Sequence, residues 1–95
     1  MKTVYKYDIP FGDKPIIEMP EGARVLSVAQ QGPNPDNLVL WAIVDPNAPL
    51  EKRKFTLRGT GHPLPDKASW DTFIGTIQAE PYVWHLFEVV GKSET

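Results

Sequence analysis

Leu38-Val39-Leu40-Trp41-Ala42-Ile43-Val44 is apolar at every position, and the reading of the fold starts there. Successive side chains of a strand point to opposite faces, so a run with no polar parity predicts a strand covered on both sides. That makes 38–44 the expected centre of the fold, with Trp41 in the core. Upstream, Gln31-Gly32-Pro33-Asn34-Pro35-Asp36-Asn37 consists of turn-forming residues, so Ala23–Gln30 is expected to pair with 38–44 as a hairpin. Downstream, Asp45-Pro46-Asn47-Ala48-Pro49 ends the run.

The next segment alternates cleanly. Arg53, Phe55 and Leu57 share one face with Gly59, while Lys52, Lys54, Thr56 and Arg58 share the other. Four of the ten basic residues thus fall within seven positions. Thr3–Ile9 sets Tyr5, Tyr7 and Ile9 against Val4, Lys6 and Asp8, and Pro15–Met19 is a short strand closed by Pro20-Glu21-Gly22. Phe73–Ala79 and Tyr82–Val89 form a last hairpin around Glu80-Pro81, with Tyr82 and Trp84 on one parity and Val83, His85 and Phe87 on the other. Ten prolines in 95 residues exclude long helices, leaving at most one short helical turn, capped by Asp66 and reaching Trp70. The prediction is a mainly β fold, an antiparallel sandwich or small barrel of about seven short strands. It forms one domain over residues 1–90, with a frayed polar tail over 91–95.

Composition bounds the chemistry. An apolar share of 41% with 11% aromatics supports a globular core. The absence of cysteine excludes disulfides, thiolate metal sites and cysteine nucleophiles, and a net charge of −2 argues against general nucleic-acid binding. No apolar run follows the lysines of Met1-Lys2-Thr3-Val4-Tyr5-Lys6, and 38–44 is too short to cross a bilayer. A cytoplasmic protein without membrane contact is therefore expected. Ser27, Ser69 and Ser93 lie in no nucleophile motif, and His62 and His85 match no metal-ligand spacing. The expectation is a non-enzymatic protein without metal or cofactor. The one enzymatic arrangement the residues offer is His62 as general base beside Thr60.

One constellation invites a binding role. The basic face of 52–58 runs into Gly59-Thr60-Gly61-His62-Pro63, where glycines can bare backbone N–H groups for an anion and Thr60 adds a hydroxyl. Trp70 follows closely enough to stack on a planar ligand. Lys54, Arg58, Gly59, Thr60, Gly61, His62 and Trp70 are the candidate ligand-binding residues, with Arg58 forking onto phosphate. The plainer reading makes the lysines the solvated face of an edge strand and the glycines a turn.

Several stretches carry a resemblance, in order along the chain: Met1–Tyr7, Ile17-Glu18-Met19-Pro20-Glu21-Gly22-Ala23, Leu40–Pro46, Leu57-Arg58-Gly59-Thr60-Gly61-His62-Pro63 and Phe73-Ile74-Gly75-Thr76. Together they resemble a family of small proteins of tailed bacteriophages and prophages, described as a domain of unknown function. That resemblance implies an accessory protein in the host bacterial cytoplasm, acting by binding, and brings no site residues with it. Two expectations follow. The first is an oligomeric protein that sequesters a small anionic ligand, such as a signalling nucleotide, against host defence. The second is an adaptor or inhibitor that meets a host protein through an exposed sheet face.

Overall fold

The computed structural model describes residues 1–65, 67, 70 and 72–89; the turn expected from Asp66 and the tail from Gly91 lie outside the described residues. The seven strands are β1 (Thr3–Ile9), β2 (Ile16–Pro20), β3 (Arg24–Gln30), β4 (Leu38–Val44), β5 (Leu50–Gly59), β6 (Thr72–Ala79) and β7 (Tyr82–Glu88). They form a three-stranded sheet ordered β1-β4-β3 and a four-stranded sheet ordered β2-β5-β7-β6, and every pairing is antiparallel. Two separate sheets make the fold a sandwich rather than a closed barrel. The expected hairpin of β3 and β4 is present, with Val28 opposite Leu40 and Gln30 opposite Leu38.

The core lies between the inner faces. Leu38, Leu40, Ala42 and Val44 of β4 meet Ile17 and Met19 of β2, Phe55 and Leu57 of β5, Ile77 of β6 and Leu86 of β7, all buried. β3 lies against β6 along one side of the sandwich, and β1 against β2 along the other. The approach of β3 to β6 is close: a Cβ at Gly75 would stand 2.7 Å from Cγ2 of Val28, so a residue without a side chain sits at the seam.

β4 is central to its sheet, but only its inner face is fully covered. Of the residues on its outward parity Val39 is buried but outside the core cluster, while Trp41 and Ile43 remain half-buried, and Trp41 is not part of the core cluster. This corrects the reading of 38–44 as covered twice at Trp41 and Ile43, while Val39 keeps to it. In a two-layer sandwich the second sheet covers one face of the first, and the outward residues of β4 are flanked only by β1 and β3 side chains. The outward residues of β7, Val83, His85 and Phe87, are half-buried for the same reason.

Arg53 closes one end of the core. It lies on the inner parity with Phe55, and its guanidinium pairs in two-pronged fashion with the Glu88 carboxylate on β7, Nη2 to Oε1 at 3.0 Å and Nε to Oε2. Its Nη1 donates to the Ala23 carbonyl oxygen at 2.9 Å, which ties the start of β3 to both strands. The hydrogen bond with Glu88 raises the Arg53 pKa above the ordinary arginine value, against a smaller opposing effect of burial.

Candidate functional site

The outer face of the four-stranded sheet carries the basic residues. Lys52, Lys54, Thr56 and Arg58 of β5 point there, as the alternation predicts. Cross-strand neighbours set Thr56 beside Phe87 and Arg58 beside His85, and Thr76 of β6 faces His85 from the far side. Arg58, Gly59, Thr60, Gly61 and His62 line one cleft of about 190 Å³ with Leu64, His85 and Phe87. Five of the seven expected site residues are thus brought together. Lys54 lies in a separate cleft on the same face. Trp70 lines neither cleft; its indole N–H donates to the Pro65 carbonyl oxygen at 3.2 Å.

The glycine turn is largely satisfied by its own protein, which changes the expected picture of bared N–H groups. The Gly59 N–H donates to His62 Nδ1 at 3.1 Å, Thr60 N–H to the Val83 carbonyl at 3.2 Å and His62 N–H to the Gly59 carbonyl at 3.0 Å. Gly61 keeps the one turn N–H without a partner among the described residues. Arg58 is similarly engaged. Its guanidinium donates to the carbonyls of Asp13 at 3.2 Å, Leu57 at 3.1 Å and Pro63 at 3.3 Å, and lies 3.7 Å from the Asp13 carboxylate. With its side chain 14% exposed, Arg58 fastens two loops to β5.

His62 does not face Thr60 as a base. Its ring is held over Gly59 and lies edge-on to Trp84 at 6.1 Å between centroids, while Thr60 Oγ1 bonds His85 Nε2 at 2.7 Å. His85 Nδ1 bonds Thr76 Oγ1 at 3.0 Å, so the ring bridges two hydroxyls with one nitrogen to each. The parity of 82–89 gave no sign of this bridge, because the two hydroxyls arrive from a turn and from a neighbouring strand. The ring of His62 lies directly over Gly59: a Cβ there would stand 2.8 Å from His62 Cε1. Gly59→Ala is expected to turn the exposed His62 ring aside, break the bond to Nδ1 and lower stability by about 1 kcal/mol. Urea denaturation checks it, and unchanged stability would mean that the ring moves aside freely.

The cleft around Lys54 contains a residue that sequence reasoning passed over. Phe55 N–H and Leu57 N–H donate to the carbonyls of Pro15 and Asp13, both at 2.9 Å, so the chain ahead of β2 continues along β5. The register that sets Ile16 opposite Lys54 then sets Lys14 opposite Thr56, on the same outer parity. Lys14, Ile16, Lys54, Phe55, Thr56 and Val89 line a cleft of about 340 Å³. Neither lysine has an acidic partner among the described residues, whose ion pairs all involve Arg53 or Arg58. Thr56 is 1% exposed, and its hydroxyl has no hydrogen-bond partner among the described residues.

The aromatics gather elsewhere. Phe11, Tyr82 and Trp84 cluster at one end of the sandwich, with centroids 5.3 and 5.6 Å from the Trp84 ring, and Phe73 meets Phe87 at 5.6 Å on the outer face of the four-stranded sheet. Among the described residues no group of three His, Asp or Glu stands ready to hold a metal ion, and no helix is long and apolar enough to cross a membrane.

No curated protein and no solved structure matches this chain. A family model does, over residues 1–95: it is described as Domain of unknown function (DUF7352), and the chain belongs to that family.

Proposed function

We propose that this protein is a non-enzymatic binding protein that captures a small anionic ligand on the outer face of its four-stranded sheet. The observation that carries this reading is the pair of ammonium groups, Lys14 and Lys54, flanking one cleft and ion-paired with no carboxylate among the described residues. The adjoining cleft, with Thr60, His85 and the free Gly61 N–H, extends the polar surface along the same face. A signalling nucleotide fits such a surface: phosphate for the lysines, and a base for the exposed ring of Phe73 or for Phe87. As an accessory protein of phage type in a bacterial cytoplasm, it would sequester that nucleotide from a host defence. Calorimetry of the full chain against cyclic and linear nucleotides is expected to give saturable heat with at least one, weakened about tenfold or more by Lys54→Gln. Absence of heat across the panel would remove the reading.

A second reading has its own observation. On the outer face of the three-stranded sheet, Val4 is 51% exposed beside half-buried Trp41 and Ile43, and Leu26, at the bulge of β3, is 46% exposed. An adaptor or inhibitor would meet a host protein there, or a homo-oligomer would bury the patch against a second copy. Light scattering distinguishes the latter: a particle heavier than one chain that reverts to a monomer in Trp41→Lys supports it, and a monomer at all concentrations excludes self-association.

A further inference from the structure

We infer that the Lys14–Lys54 cleft is the seat of a phosphomonoester, held as its dianion, with the organic group of the ester against the apolar wall. The inference rests on the anion-binding reading above and deepens it by naming the ligand class.

Charge comes first. Two lysines with no acidic partner among the described residues stand on one cleft, and its lining residues are cationic, apolar or threonine. Of the carboxylates around it, Asp13 lies beside Arg58 and Glu88 pairs with Arg53 on the inner face, while Glu18, exposed opposite Lys52 on the same face, forms no ion pair with either cleft lysine. Two fixed positive charges match an ion of two negative charges better than one of one, and lysine acts as a point charge that follows a phosphate oxygen without demanding the planar geometry an arginine needs.

The hydroxyl comes second. Thr56 forms part of the cleft lining, and its Oγ1 is buried with no partner among the described residues, an arrangement that burial ordinarily does not leave uncompensated. A phosphate oxygen supplies the missing acceptor once the flanking lysine side chains turn toward the ion. Third, Ile16 and Val89 give the same cleft an apolar side, and about 340 Å³ is room for more than a bare ion. A free inorganic ion would leave that wall wet, whereas an ester covers it.

Phenyl phosphate and phenyl sulfate are the probes, because they share a ring and a tetrahedral head and differ in charge. Titrations followed by amide chemical shifts are expected to show saturable phenyl phosphate binding centred on Lys14, Ile16, Thr56 and Val89. The second ionisation of a phosphomonoester lies near about 6, so its association constant should rise roughly tenfold between about pH 5 and pH 7.5, while that of phenyl sulfate stays flat and lower. The two histidines line the other cleft and not this one. Lys54→Gln should weaken phenyl phosphate about tenfold and Lys14→Gln/Lys54→Gln should abolish it. Thr56→Val keeps the shape and removes an unpartnered hydroxyl, so it is expected to raise the melting temperature while weakening binding several-fold, which separates lost binding from lost fold.

Equal affinity and equal pH response for the two probes overturns the inference, as do shifts centred on Gly59–His62 instead. Either result leaves the broader anion reading in place. No saturable shift with either probe at the lysine cleft or the glycine turn would take both away.

Discussion

Phe55→Ala is expected to remove about 3 to 5 kcal/mol of folding stability, the largest loss of any single truncation discussed for this protein. Phe55 is 1% exposed, stands on the inner face of β5 and is the largest of the fully buried side chains. Removing its ring takes away both its transfer free energy and the dispersion contacts of its neighbours. The sandwich cannot collapse to fill the space, because the sheet backbones on either side are fixed by their own ladders. Domains of this size are stable by about 5 to 15 kcal/mol in total, so the variant should be marginal, with a melting temperature roughly 15 °C or more below that of the parent. Urea denaturation followed by circular dichroism gives the number. A loss below about 1 kcal/mol would mean that the ring is not packed between the sheets.

The second large effect belongs to Arg53 and Glu88. Arg53→Met should cost about 2 to 3 kcal/mol, since it leaves a carboxylate whose side chain is only 14% exposed without its cation and also strips the Ala23 carbonyl of a donor. Arg53→Met/Glu88→Leu should recover most of that loss, because the double replacement leaves no unpaired charge and adds apolar volume at the edge of the core. The four corners of this cycle give the coupling, and purely additive losses would show that the pair acts as two independent surface charges. Because the raised pKa belongs to the arginine, the stabilisation it brings is complete below the ordinary arginine value. No pH change in the neutral range unloads the pair from that side.

These two effects also mark where reading the residues succeeded and where it ran short. Alternation along 52–59 placed Phe55 and Leu57 inward and Lys54 and Arg58 outward, and the structure agrees residue by residue. The same alternation put Arg53 inward without saying why a charge belongs there. The answer is Glu88, thirty-five positions away, on a strand that becomes a neighbour only when β7 joins β5. The candidate site divides in the same manner. Local composition drew attention to the basic strand and the glycine turn. What it could not weigh was competition: Arg58 and three of the four turn N–H groups are spent on partners within the protein, from Asp13, Val83, Pro63 and the turn itself.

What the sequence by itself determined is the set of seven strands, their facing parities, the β3–β4 and β6–β7 hairpins and the clustering of positive charge on one side of β5. Each follows from a period of two residues and from turn chemistry, both of which act over a few neighbours. Only the tertiary structure decided that β2 pairs with β5. That pairing carries Lys14 to Thr56 and Lys54, the order β5-β7-β6 sets His85 between Thr60 and Thr76, and the packing of two sheets leaves Trp41 on an outer face. Those outcomes depend on which distant strands bury each other's apolar faces, a choice made by the whole core at once and by no single segment of it.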